Sequence, residues 1–390
     1  MTLRSELKIF DSISMKKRKF LADKDVVKIF ICGPTVYDYS HLGHARIFLF
    51  YDIMTRYFIF KDLHPIVIVN ITDIDPKISF KAKVEGISPH KLATKFLKEL
   101  LVDISLLGIN ITLNFARASD YVDFSKEIIK KLIRNKMAYS TSGKIFLDTT
   151  GLSTYGKLSG MTRYDLENAR LDIDPGKHNP SDILLWNAAD DFDEKYFDKT
   201  LGNGVPWWHL QDSSIAMSNF NGHYDIHGGA VDLIYPHHES HLAQLQVLTS
   251  SERPVKYWTH VGLLTLGAKK MSKSLDNTIR IRDVLKRYNS NILRLYIFSN
   301  HYRSPFEFSL SRLDNFRDVD EVIAKAFIHS DRNNDRRCKT SRKKYLSKFI
   351  RCIEDDFDTP QALETMIDAA KSDKSLAALI DMVNIFGLRY

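Results

Sequence analysis

Two apolar runs flanking a helix-length segment constrain this chain most. Val26-Val27-Lys28-Ile29-Phe30-Ile31-Cys32 stops at Gly33-Pro34 and reads as a buried strand closed by a turn. Ser40 or His41 then opens a predicted helix that runs through about Phe60. Pro65-Ile66-Val67-Ile68-Val69-Asn70-Ile71 reads as a second buried strand. Strand–helix–strand at this spacing is a βαβ unit, and such units build parallel sheets whose ligands gather at the carboxyl ends of the strands. An α/β fold is therefore expected, with Cys32 and the residues after it at such an end.

The rest of the chain extends that pattern. Periodicity predicts helices over about 88–108 and 121–137, then a strand-like piece at Lys144-Ile145-Phe146-Leu147. Asp165 to Asn203 is acidic and turn-rich, so roughly 120–200 reads as an insertion between two halves of the sheet. The second half resumes near Trp207. His223-Tyr224-Asp225-Ile226-His227-Gly228-Gly229 fits a strand ending in a glycine turn, and Tyr257 to Leu266 leads into a loop at Lys270. From about Leu310 the pattern is helical, broken by a basic loop from Asp331 to Lys344.

Composition narrows the class. The 390 residues suffice for two or three domains, and 44% hydrophobic residues suffice for a large core. No apolar run approaches the ~20 residues that span a bilayer. The start, Met1-Thr2-Leu3-Arg4-Ser5-Glu6, shows no apolar signal region. Cys32, Cys338 and Cys352 are too few and too scattered for a disulfide framework, so a reducing, cytoplasmic setting without membrane partners is expected. The net charge of +8 suits a polyanionic partner.

Two short motifs carry chemistry. In His41-Leu42-Gly43-His44 two imidazoles stand at i and i+3 in the first turn of a helix, where they can donate to phosphate oxygens beside the helix N-terminus. Gly43 removes a side chain where a nucleotide must come close. In Lys270-Met271-Ser272-Lys273-Ser274 two lysines are point charges suited to the charge that develops on departing pyrophosphate. His227-Gly228-Gly229-Ala230 does not spell Gly-x-Gly-x-x-Gly, and no Walker-type loop occurs, so neither a dehydrogenase nor a P-loop enzyme is supported.

In this order, the two motifs resemble the ATP-handling motifs of class I aminoacyl-tRNA synthetases. Flanking residues resemble the cysteinyl-tRNA synthetases: Cys32-Gly33-Pro34-Thr35-Val36-Tyr37-Asp38, Asn70-Ile71-Thr72-Asp73-Ile74-Asp75, Tyr155-Gly156-Lys157-Leu158-Ser159-Gly160, Asp225-Ile226-His227-Gly228-Gly229, Pro236-His237-His238-Glu239 and Asp355-Asp356-Phe357-Asp358-Thr359-Pro360. The resemblance implies a Rossmann-like parallel sheet with an inserted subdomain and a C-terminal helical domain. It divides the chain into 1–120 and 205–305 as the two catalytic halves, 121–204 as a connective insertion, and 306–390 as a shortened tRNA-side domain. It implies conversion of ATP, with Mg, and cysteine to an adenylate, then transfer to tRNA, by a monomer. His41, His44, Lys270 and Lys273 would be catalytic. Gly43, Gly228, Asp232 and Lys273 would bind ATP, and Thr72, Trp208 and His227 the substrate.

The resemblance also implies a zinc ion that takes the substrate thiolate, held in the family by two cysteines, a histidine and a glutamate. The matching positions here are Cys32, Asp212, His237 and His241, all competent ligands. Asp212 in place of a thiolate keeps the charge but hardens the shell, and His241 in place of the glutamate leaves it one charge unit more positive. Such a metal is expected to attract anions more strongly but to select sulfur less sharply. Three readings stay open: a cysteine–tRNA ligase with an altered zinc shell, a ligase that acylates a small amine or carrier, and a non-enzymatic RNA-binding paralogue.

Overall fold

The computed structural model describes residues 6–22, 24–169, 173–188, 192, 194–267, 269–271, 277–328, 335–372 and 376–390. The expected βαβ unit forms as β1 (Val26–Ile31), α1 (Leu42–Phe60) and β2 (His64–Ile71). These strands are β-branched and apolar because both faces of the sheet are covered. Helix α1 is buried along most of its circumference, from Leu42 and Ala45 through Leu49, Ile53 and Tyr57, as a helix packed between layers must be.

β3 (Asn114–Arg117) adds beside β2. After α2 (Trp208–Phe220), β4 (Tyr224–Ala230) returns to the other edge of β1. Helix α3 (Glu239–Thr249) then leads to β5 (Val255–Val261), which pairs with β4. The order is β5-β4-β1-β2-β3, all parallel. The winding direction reverses between β1 and β4, and such a switch point opens a crevice beyond the strand ends.

Between β3 and α2 in sequence lies a four-stranded antiparallel sheet, Ala138–Thr141, Lys144–Leu147, Ile183–Asn187 and Val205–Pro206. Ile183–Asn187 is a strand inside the stretch read as turn-rich. All five of its residues are buried between neighbouring strands, so it has no alternating pattern to betray it. A small three-stranded sheet unites β6 (Leu264–Leu266), β7 (Lys269–Lys270) and β8 (Phe306–Glu307). The C-terminal part is helical, and Phe349, Met366, Leu379 and Phe386 bury into the same core as α1.

Two expectations are corrected. The basic loop is helix from Asp335 onward, since Asp335–Glu354 forms one segment. Lysine and arginine are good helix formers, and charge density alone does not make a loop. Gly228 and Gly229 do not turn but continue β4. A Cβ on Gly228 would meet the Tyr51 hydroxyl at 2.1 Å, and one on Gly229 would meet His238 Cε1 at 2.8 Å. These glycines admit side chains from above the sheet.

Candidate active site

At the switch point a cleft of ≈ 330 Å³ is lined by Cys32, Thr35, Tyr37, His41, Gly43, His44, Lys77, Asp232, Gly262, Leu264 and Met271, among others. His41 is the N-cap of α1, with φ −115° and ψ 171°. Its Nδ1 accepts from the Gly43 N–H at 3.1 Å, and His44 Nδ1 accepts from the His41 N–H at 3.3 Å. The rings stack at 3.9 Å. This capping box uses imidazole where serine and glutamate are usual. It also fixes the tautomer: with Nδ1 accepting, each neutral ring carries its proton on Nε2. A Cβ on Gly43 would meet the His41 ring at 2.8 and 2.9 Å, so the glycine is required by the cap itself.

Beneath this cleft lies a buried cluster of imidazoles. Cys32, His237 and His238 offer ligand atoms that all lie within 4.8 Å of one another. His237 Nε2 stands 3.1 Å from Asp212 Oδ2, and its ring stacks on Trp208 at 4.5 Å. Asp212 Oδ1 also accepts from Asn70 Nδ2, whose Oδ1 accepts from the Gly33 N–H. A Cβ on Gly33 would meet the Asn70 carbonyl at 1.9 Å, so this glycine lets β1 end against β2. His238 Nδ1 bonds His260 Nε2 at 2.9 Å, and His260 Nδ1 bonds Ser12 Oγ at 2.7 Å. His238 Nε2 is buried with no hydrogen-bond partner among the described residues.

Burial sets the protonation of this cluster. It pushes His227 and His238 well below the usual histidine value, and His241 and His260 down to about 3. All four are neutral at physiological pH, the form that binds metals. Burial, and secondarily the Asp212 carboxylate, raises the Cys32 thiol. A cation there would reverse that effect, because metal-bound thiols ionise. The donor set of one thiol, two imidazoles and an adjacent carboxylate fits zinc.

The structure regroups the expected ligands. Cys32, Asp212 and His237 come together, but His241 does not join them. Its Nδ1 bonds Ser213 Oγ at 2.9 Å and its Nε2 bonds the Tyr224 hydroxyl at 2.7 Å. The resemblance implied His241 as a ligand, but Ser213 and Tyr224 take both of its nitrogens. His237 itself lies in the irregular turn Ile234–His238, where Tyr235 is non-helical, ahead of α3. The same turn brings in His238, which motif spacing did not single out as a ligand. The available signal was density: seven of the 14 histidines lie between 209 and 260.

Other expected residues scatter around the site. Asp232 lines the cleft just after β4. Gly228 does not line it and lies under Tyr51. Thr72 bridges to Thr35, and its carbonyl accepts the Val36 N–H at 3.2 Å, which shapes the cleft wall from behind. His227 is buried on Phe30, with Nδ1 bonded to the Tyr224 hydroxyl at 2.8 Å. Trp208 opens α2 beside His237. Lys270 is placed by β7, beside cleft-lining Met271, whereas Lys273 lies outside the described residues. Lys77, a cation in the cleft wall, was not anticipated.

Known proteins match this chain in sequence and in fold. The family described as tRNA synthetases class I (C) catalytic domain matches residues 19–318. The cysteine–tRNA ligase of Pyrococcus furiosus is 36% identical over 380 residues, 94% of this chain and 79% of the relative. That of Carboxydothermus hydrogenoformans is 34% identical over 381 residues, 94% and 80% of the two chains. Among solved structures, Mycobacterium tuberculosis methionyl-tRNA synthetase with methionyl-adenylate aligns at a TM-score of 0.64 and 14% identity, over 93% of this chain and 88% of that one. Agrobacterium radiobacter K84 agnB2 LeuRS, in its ternary complex with tRNA and LeuAMS, gives 0.67 at 10% identity, over 94% and 83%. At such identities the structures speak for the fold alone. The capped His41–His44 turn at the switch point, the Cys32 cluster beneath it and the match over most of the length agree: the chain belongs to the cysteinyl-tRNA synthetase family of class I synthetases.

Proposed function

We infer that the chain activates cysteine with ATP and transfers it to tRNA. The observation that carries this reading is the double position of Cys32. It lines the cleft that α1 opens toward, and it belongs to the buried ligand cluster. Phosphate-handling and thiol-handling groups thus meet at one residue.

In the first step the cysteine carboxylate oxygen attacks the α-phosphorus of ATP, with Mg carried by the nucleotide. The bond from that phosphorus to the bridging oxygen breaks, and pyrophosphate leaves. His41 and His44 present Nε2–H donors at the positive end of α1, where phosphate charge is favoured. Lys77 adds positive charge to the cleft wall, and Lys270 and Lys273 take the charge of the leaving pyrophosphate. Asp232 stands where a ribose hydroxyl can donate to a carboxylate. In the second step a terminal adenosine hydroxyl of tRNA attacks the acyl carbon and AMP departs.

Zinc, when bound, supplies a soft Lewis acid that favours a thiolate over a hydroxyl. Cys32 and His237 would hold it, with His238 and Asp212 completing the shell and Trp208 stacked on His237 to fix its ring. His227 packs edge-on against His238, with ring centroids 4.5 Å apart. His241 supports the shell through Tyr224 and Ser213 rather than by ligation. No observation favours a small amine or carrier as acceptor.

ATP–pyrophosphate exchange across the amino acids, with metal content and tRNA charging measured on the same sample, tests the reading. Exchange with cysteine, about one zinc per chain, and charged tRNA are expected. The cysteine-to-serine ratio should fall below that of a family member with two thiolate ligands. No exchange with any amino acid would overturn the reading.

A further inference from the structure

Arg46 is part of the sequence block around the first motif, yet none of the chemistry above uses it. It lies one turn into α1 and is 1% exposed. Its Nη1 donates to the carbonyls of Gly262 at 2.7 Å and Leu263 at 3.0 Å. Its Nη2 donates to the carbonyls of His301 at 3.0 Å, Tyr302 at 3.2 Å and Ser304. The guanidinium packs over Phe306 at 4.6 Å, and burial pulls its pKa down to about 9. A buried cation answered by backbone carbonyls is an expensive way to join three segments. A well-packed apolar side chain would serve simple packing better.

The segments it joins are informative. Gly262 and Leu263 lead directly into β6, which pairs antiparallel with β7 and so carries Lys270. His301 to Ser304 lead into β8, the other partner of β6. A Cβ on Gly262 would meet the Arg303 carbonyl at 2.5 Å, so the two segments lie close enough for one guanidinium to reach both. Beyond the Lys270 motif the chain returns to the same helix start. The Leu42 N–H donates to Ile279 O at 3.0 Å, and the Ile281 N–H donates to Ser40 O at 3.2 Å.

We propose that Arg46 is a positioning residue for pyrophosphate departure, holding the entry strand of the Lys270 hairpin in register with the turn that carries His41 and His44. One helix turn then fixes both halves of the phosphate-binding apparatus. The forked, planar guanidinium suits this because it bonds several acceptors at set angles, which an ammonium cannot do. The effect is on the transition state, because charge on the leaving group grows only as the phosphorus–oxygen bond breaks.

This inference rests on the adenylate-forming reading, so wild-type exchange is measured first. Its absence sinks that reading; the double-variant outcome concerns this one alone. In Arg46→Lys, kcat for exchange is expected to fall about 10- to 100-fold, the scale of a misplacement near 1 Å, while KM for cysteine stays within about twofold. Lys270→Ala lowers kcat by itself. If Arg46 acts through that hairpin, Arg46→Lys/Lys270→Ala is no slower than Lys270→Ala within about threefold. Multiplying losses would overturn the proposal, as would a rise in KM for cysteine matching the fall in kcat. Arg46→Gln, which keeps two donors without the charge, serves as a second variant. If neither variant folds by circular dichroism, Arg46 is a structural residue and the proposal fails.

Discussion

The two strand–helix–strand crossovers flanking the switch point use histidine in opposite ways. In the first, β1–α1–β2, the helix begins abruptly at a capping box, and His41 and His44 face an open cleft. Their Nδ1 atoms are spent on the backbone, so the rings offer protons. In the second, β4 runs through two glycines into 3₁₀ and π turns before α3 starts. There His227, His237, His238 and His241 are at most 2% exposed and packed against Trp258, Tyr224 and Trp208. Burial keeps His227, His238 and His241 neutral, and His238 Nε2 has no hydrogen-bond partner among the described residues. In the proposed function the same side chain would serve as a phosphate donor at a wet helix start and as a metal donor in a dry pocket, and the environment would make the difference.

Substitutions can break that contrast. The largest effect is expected in the first crossover. His44→Ala removes a donor aimed at developing charge, so kcat for exchange should fall about 10²- to 10³-fold while zinc content is unchanged. Gly43→Ala should follow, because its Cβ would displace the His41 ring. A loss of about tenfold or more in kcat is expected with little net change in melting temperature, since the weakened cap and the better helix former offset each other. If it melts lower and reacts normally, the cap does not position the ring.

In the second crossover the readout is metal. His237→Ala should weaken zinc binding by about 10- to 100-fold or more, seen by competition with a chromophoric chelator. His241→Ala should leave zinc stoichiometry intact and lower only the melting temperature, because its partners are Ser213 and Tyr224. Loss of zinc in His241→Ala with retention in His237→Ala would reverse the proposed shell.

The smallest effect concerns acid. His260 has its pKa depressed to about 3 by burial. The unfolded chain takes up its proton near the ordinary histidine value and the folded chain does not. Its share of stability is therefore fully present above about pH 6.5 and is lost as pH falls toward 3. In chelator-treated protein, urea midpoints between about pH 5 and pH 8 should drop toward acid. His260→Gln should flatten that slope by up to about 1.4 kcal/mol per pH unit. An unchanged slope would mean that water reaches the ring.

Much of the first crossover was legible because its signals are local. An apolar strand, a Gly-Pro stop, a capped helix and a second apolar strand each sit within a few residues of what they determine. The second crossover was harder. Its strand glycines read as a turn because nothing nearby in sequence announces Tyr51 or His238 packing onto them. Its implied ligand His241 is bonded instead to Ser213 and Tyr224, partners that nothing near it in sequence announces. Ile183–Asn187 was hidden because a fully buried short strand has no period.

By itself the sequence determined the α/β class, the family and the placement of His41, His44 and Cys32 at the ends of parallel strands, since these follow from short-range patterning. Only the tertiary structure decided that His238 rather than His241 faces Cys32 and His237, that Tyr51 packs over Gly228, and that Arg46 joins α1 to the segment leading into β6. Each depends on which side chains meet across segments tens to hundreds of residues apart, and packing sets those meetings where no local pattern records them.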